Sequence, residues 1–151
     1  MSIIILKIFK KSNTIWRNMM KKIILLLITF TLSVLAEVKN EYLSKELLQQ
    51  NIPIVDIRTP GEWKQTGLLK GAIPIMFWDE RGNYDTRKFL QELNEKVDTS
   101  KAFALICHTG NRTSIVAPWL AKEFGYKVIN LKGGMEYATK GLHVKTIPYK
   151  K

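Results

Sequence analysis

The stretch from Ala102 to Gly125 constrains the fold more than any other part of this chain. Ala102-Phe103-Ala104-Leu105-Ile106 is continuously apolar between polar flanks, the pattern of a strand buried on both faces of a parallel sheet. Further on, Ile115, Val116, Trp119, Leu120 and Phe124 recur at helical spacing and reach Gly125, a residue suited to ending a helix. Between the two runs lies Cys107-His108-Thr109-Gly110-Asn111-Arg112. The unit reads as strand, tight loop and helix.

That loop holds the only cysteine of the chain. In a strand-loop-helix setting the loop amides and the first helical turn converge on one point and favour a negative atom there. A free thiol with a pKa near 8.5 is mostly protonated at neutral pH; lowering it by about two units, roughly 2.7 kcal/mol, makes thiolate the majority form. The loop amides and Arg112 are the groups expected to supply that shift. A lone cysteine is most often a small buried apolar residue. Here, however, Gly110 and Asn111 are types that accept left-handed backbone angles, and a core strand end has no need of both followed by an arginine. Cys107 is therefore the candidate nucleophile.

The remaining pattern alternates in the same way. It predicts a helix over 44–50 capped by Ser44, a strand over 52–57, a brief helix over 60–64, a strand over 72–75, and a helix over 85–95 with Phe89, Leu90 and Leu93 inward. After the strand over 102–107 come a helix over 112–124, a strand over 127–131 and a last helix over 135–140. Pro118 should kink the helix after the loop, or restart it at an N1-like position. Strands alternating with helices imply a parallel α/β sheet, whose ligands bind beyond the carboxyl ends of the strands. Cys107 lies at such an end, and so does Asp56-Ile57-Arg58, so the two should meet at one site.

Asp56 and Arg58 are candidates to support the site from behind, and a charged pair at a strand exit more often orients a turn than performs chemistry. His108 should point outward as a bystander or specificity contact. Trp63, Trp78 and Trp119 are read as core before binding wall; the segment 75–82, apolar then charged, is a candidate lip or docking patch. The two histidines, His108 and His143, have no ligand cluster around them, so no metal is expected.

Composition separates the first 36 residues from the rest. They carry six of the 24 basic residues, none of the 13 acidic ones, and an apolar run over 23–35 ending Val34-Leu35-Ala36. Lys21-Lys22, a thirteen-residue apolar stretch and a small residue at the boundary match a secretory signal peptide, and the run is short for a span of about 20 residues. The expectation is therefore a leader over 1–36, with a natural start at Met19 or Met20, and one domain over 37–151. The product would be periplasmic or secreted, or anchored to a membrane if the leader stays. Without the leader, 18 basic residues face 13 acidic ones, so the domain carries about +5, with no basic stripe suited to nucleic acid. One cysteine also excludes an internal disulfide in an oxidising compartment.

Cys107-His108-Thr109-Gly110-Asn111-Arg112 resembles the active-site loop of single-domain rhodaneses. Ile54-Val55-Asp56-Ile57-Arg58-Thr59-Pro60-Gly61-Glu62-Trp63 resembles the family's first core strand and turn, Gly71-Ala72-Ile73-Pro74 its next strand entry, and Leu131-Lys132-Gly133-Gly134 its last strand and turn. The chain departs from the family at Gly67-Leu68-Leu69, where Gly-His-Ile is frequent, and at Ala138, where tryptophan is. The resemblance implies an open parallel sheet of about five strands with helices on both faces. It also implies a sulfurtransferase that carries sulfane sulfur on Cys107 as a persulfide, exported by way of the leader read above. His108, Thr109, Gly110, Asn111 and Arg112 would form the persulfide-binding loop. The donor would be a small anion such as thiosulfate or polysulfide, and the acceptor a thiol or a cyanide-like nucleophile; a protein partner is compatible with the same site. No cofactor is implied. Alternatives are a noncatalytic sulfur-carrier or protein-binding module, and a phosphatase or arsenate reductase of the same fold. The latter have five residues between cysteine and arginine where this chain has four.

Overall fold

The computed structural model describes residues 16–17, 19–22 and 38–150. Trp16, Met19 and Met20 are helical and exposed. The expected leader's apolar run over 23–35 and the boundary at Ala36 lie outside the described residues. Among the described residues no helix is long and apolar enough to cross a membrane. The chain divides into two compact units, Met1–Leu35 and Ala36–Lys151, and the second carries the fold described below.

Five parallel strands form the main sheet: β1 (Val38–Tyr42), β2 (Ile54–Asp56), β4 (Ile73–Pro74), β5 (Phe103–Ile106) and β6 (Val128–Lys132), in the order β1-β6-β5-β2-β4. The central strand β5 is buried at every position, as its unbroken apolar run requires. Its register sets Ile54 beside Ala104, Asp56 beside Ile106, and Leu105 beside Asn130. Around the sheet lie α1 (Lys45–Gln49), α2 (Pro60–Thr66), α3 (Thr86–Lys96), α4 (Thr113–Phe124) and α5 (Gly134–Glu136). A second, two-stranded antiparallel sheet pairs β3 (Leu68–Leu69) with β7 (Thr146–Ile147).

Side chains alternate across β5 and β2, which splits the core in two. Phe103, Leu105, Val55 and Ile57 pack with Phe89 and Leu93 of α3 and Val116 and Leu120 of α4 on one face. Ala104, Ile106 and Ile54 pack with Leu47 and Met135 on the other. Each fully buried aliphatic or aromatic side chain contributes about 1.5–3 kcal/mol, so the face with Phe77, Phe89 and Phe103 carries the larger share of the core.

Several expectations are corrected. The strand over 52–57 shortens to Ile54–Asp56, and the helix over 60–64 extends to Thr66. β1, with only Val38 and Glu41 half-buried, is an edge strand that periodicity does not reveal. The helix over 135–140 is three α residues followed by a π turn, Tyr137–Gly141, closed by Leu142 N–H donating to the Tyr137 carbonyl at 2.9 Å. α4 runs through Pro118 without restarting. The proline sits on the exposed side, and the carbonyl it leaves without a helical donor is that of exposed Ser114. Ile115 and Phe124, expected on the apolar face, are 63% and 41% exposed.

Candidate active site

β5 delivers Cys107 to the carboxyl pole of the sheet, where the thiol is buried. Gly110, at φ +92°, turns the chain so that its own N–H donates to Cys107 Sγ at 3.2 Å. The turn leaves no room for a side chain: a Cβ on Gly110 would lie 2.9 Å from the Gly133 nitrogen. Thr113, at the start of α4, donates its hydroxyl to the Gly110 carbonyl at 3.0 Å and lies 3.8 Å from the sulfur. Of the loop amides, expected to surround the sulfur together, Gly110's is the one within hydrogen-bonding distance.

The back of the loop is held by α5. Met135 N–H donates to the Cys107 carbonyl at 2.8 Å and Glu136 N–H to the His108 carbonyl at 2.9 Å. Because a trans peptide sets its C=O and N–H in opposite directions, these two bonds turn the amides of His108 and Thr109 away from α5. That approach needs Gly134, whose Cβ would lie 2.4 Å from the Cys107 carbonyl oxygen.

Arg112 makes a two-point ion pair with Glu62 of α2, Nη2 to Oε1 at 2.6 Å and Nη1 to Oε2 at 2.8 Å. Glu62 also accepts the Thr59 N–H at 3.0 Å as the third residue of a capping box, while its own N–H bonds the Thr59 hydroxyl. Partial burial pushes the Glu62 carboxyl up. The Arg112 hydrogen bonds, the Thr59 amide and the charges of Arg112 and Arg58 outweigh it and hold the pKa at about 2. Reciprocally, the bond to Glu62 holds the Arg112 guanidinium above its ordinary value, against the effect of burial, with a smaller contribution from Cys107. The arginine expected to help the loop amides lower the thiol pKa is thus already paired with Glu62.

His108 is exposed, its Nδ1 3.5 Å from Glu62 Oε1. Thr109 and Asn111 line a cavity of about 520 Å³ together with Asn40, Asn130 and Lys132. Asp56 and Arg58 meet at the same pole but as a closed pair. They are 0% and 1% exposed, joined by Nε at 3.0 Å and Nη2 at 2.7 Å. The remaining Arg58 donors reach the Thr66 hydroxyl and the Gly67 carbonyl, both at 2.7 Å, so this pair secures the far end of α2. Trp63 is core, against Tyr149. Trp78 and Trp119 cluster on Phe77 and line a separate aromatic cavity of about 320 Å³. The segment 75–82 ends in a turn held by Asp79 accepting from Asn83. Among the described residues no cluster of His, Cys, Asp or Glu is able to hold a metal.

The residue that sequence reasoning missed is Glu62. Its local signal, Thr59-Pro-Gly-Glu62, announces a capping box, but a partner 50 residues away along the chain has no local signal.

Comparison with known proteins agrees with this architecture. The family model for the rhodanese-like domain matches residues 39–140. An uncharacterized protein of Rickettsia prowazekii (strain Madrid E) is 36% identical over 94 residues, 60% of this chain and 74% of that protein. The crystal structure of Rv0390 from M. tuberculosis superposes with a TM-score of 0.55 at 19% identity, over 65% of this chain and 80% of that one. Reduced Bacillus anthracis CoADR-RHD superposes with a TM-score of 0.53 at 27% identity; the match covers 70% of this chain but 17% of that one. With Cys107 at the end of the central strand and the family match spanning the sheet, this chain belongs to the rhodanese-like domain family.

Proposed function

We propose that this protein is a sulfurtransferase that carries sulfane sulfur on Cys107. The observation supporting this reading is a lone, buried thiol that accepts the Gly110 N–H inside a four-residue loop. A cradle with four residues between cysteine and arginine suits a single sulfur atom better than a tetrahedral phosphate. In the first half-reaction the Cys107 thiolate attacks the outer sulfur of a donor such as thiosulfate. The new Cys107 S–S bond forms as the donor's S–S bond breaks, and sulfite leaves with that electron pair. In the second, a thiolate or cyanide attacks the terminal sulfur of the persulfide and Cys107 leaves as thiolate. This is covalent, ping-pong catalysis, in which Gly110 N–H stabilises the sulfur anion.

Intact mass before and after thiosulfate, and again after cyanide, tests the reading. One sulfur gained, removed by cyanide and absent in Cys107→Ser, is the expected result. Sulfur gained equally by Cys107→Ser, or transfer retained in it, overturns the assignment.

We further propose that the domain acts outside the cytoplasm, on the strength of the leader pattern over 1–36. Amino-terminal sequencing of protein from the host envelope should then begin at Glu37. An intact leader on protein recovered from the cytosol counts against export.

A further inference from the structure

Glu62 is an anchored carboxylate. It is carried on α2, which starts at Pro60 with a capping box and ends at Thr66, where buried Arg58 grips the Thr66 hydroxyl and the Gly67 carbonyl. Arg112, by contrast, belongs to the sulfur loop, and both of its terminal nitrogens are taken by Glu62 at 2.6 and 2.8 Å. A fork held at two points has little freedom to turn toward another anion.

We propose that Glu62 is a positioning residue for the chemistry of Cys107: by clamping Arg112 it sets how much of the arginine's positive charge the thiolate feels. The inference rests on Cys107 being the reactive group, as proposed above, but not on sulfur being its cargo. Glu62 holds both terminal nitrogens of Arg112, and the Gly110 N–H is the donor that lies on the sulfur. An anionic donor arriving at the loop competes with Glu62 for the same guanidinium.

Two further ion pairs at this pole stay as they are when Glu62 is changed, whereas His108, with its Nδ1 3.5 Å from Glu62 Oε1, loses that neighbour. Asp56 and Arg58 neutralise each other at the exit of β2. His108 lies on the loop itself. Glu136 of α5 pairs with Lys140 at 2.7 Å.

Because the chain has a single cysteine, thiolate ultraviolet absorbance against pH, taken as the difference from Cys107→Ser to remove the tyrosinate signal, reads Cys107 alone in the full-length protein. Glu62→Gln keeps the shape and the acceptor for Thr59 N–H while removing the charge. Its thiolate midpoint should fall by about one unit, corresponding to about tenfold more thiolate below the midpoint. Arg112→Gln combined with Glu62→Gln should abolish that fall when compared with Arg112→Gln alone. A midpoint that stays or rises in Glu62→Gln overturns the proposal. So does the same fall in the double variant, since Glu62 would then act on the sulfur by direct repulsion and not through Arg112. Should Glu62→Gln fail to fold, Glu62→Asp carries the test: a shorter carboxylate loosens the fork, and an unchanged midpoint overturns the idea. None of these outcomes depends on persulfide formation, which the mass measurement decides separately.

Discussion

At the scale of single residues, the site is governed by who pairs with whom. Two arginines reach this pole and both are committed, Arg58 to Asp56 and Arg112 to Glu62. The Asp56–Arg58 pair is wholly buried, and such pairs gain little net stability over apolar packing but leave a costly charge behind when one partner is removed. Glu62–Arg112 is different because part of it meets solvent, and it can be read by pH. The Glu62 carboxyl titrates at about 2 in the folded chain, against an ordinary value of 4.5. A folded-state value below the unfolded one means the contribution is complete above the unfolded pKa and is lost as pH falls from 4.5 toward 2. Linkage alone gives an upper bound of about 3 kcal/mol, and solvent screening of a side chain this exposed reduces it to about 1–2 kcal/mol. Urea unfolding should therefore find wild type more stable than Glu62→Gln by that amount near neutrality, with the gap closing at about pH 2. A gap independent of pH would mean that the glutamate stabilises through its shape and cap, not through its charge.

At the scale of elements, the sulfur loop is shaped by α5 as much as by its own sequence. The N–H groups of Met135 and Glu136 hold two loop carbonyls, and that contact exists only because residue 134 is glycine, with φ +55°. Gly134→Ala places a methyl group against backbone carbonyl oxygens at 2.4 and 2.6 Å. It should destabilise the fold by about 2–4 kcal/mol and speed alkylation of Cys107 as the loop opens. Gly82→Ala is the matched control: φ is again positive, at +82°, but nothing lies within 4 Å of the added carbon. Only the backbone cost of about 1–2 kcal/mol applies there. Equal urea midpoints for the two variants would remove the close-approach argument. The same contrast explains what the sequence made legible. β5 and α4 were plain from an unbroken apolar run and a helical period ended by Gly125, and the Ser44 cap and the α3 core positions Phe89 and Leu93 were equally local. β1 was not, because an edge strand with exposed Lys39 and Asn40 lacks a buried face to announce it. The π turn after α5 carries no local pattern that marks it, and the Glu62–Arg112 bridge comes from two elements meeting in space. Within the site, Cys107 and its loop were legible because their chemistry lies in adjacent residues; the partner that pairs with Arg112 was not.

At the scale of the whole molecule, parallel strands bring their carboxyl ends to one pole, so Cys107, Arg58 and the α5 turn converge there while β1 starts at the other. What holds that pole from outside is the C-terminal strap. β7 pairs with β3 through Leu68–Ile147 and Leu69–Thr146, and Tyr149 packs on Trp63 with ring centroids 5.2 Å apart. Trp63 and Glu62 are neighbours on α2, one facing the strap and the other the sulfur loop. Removing residues 145–151 uncovers Trp63, Leu68 and Leu69, each now at least nine-tenths buried, and should cost about 2–4 kcal/mol in urea unfolding. The loss should not spread evenly. Amide exchange ought to quicken over 60–69, where the strap is the outer cover, and to stay slow in β5 and β6, which are covered on both faces. With α2 loosened, Glu62 holds Arg112 less firmly, so the thiolate midpoint of the truncated chain should move in the same direction as in Glu62→Gln, by a smaller amount. Unchanged protection over 60–69 would show that the Thr59 cap, the Arg112 pair and Arg58 secure α2 without the strap, leaving the strap as a cover with no hold on the sulfur loop.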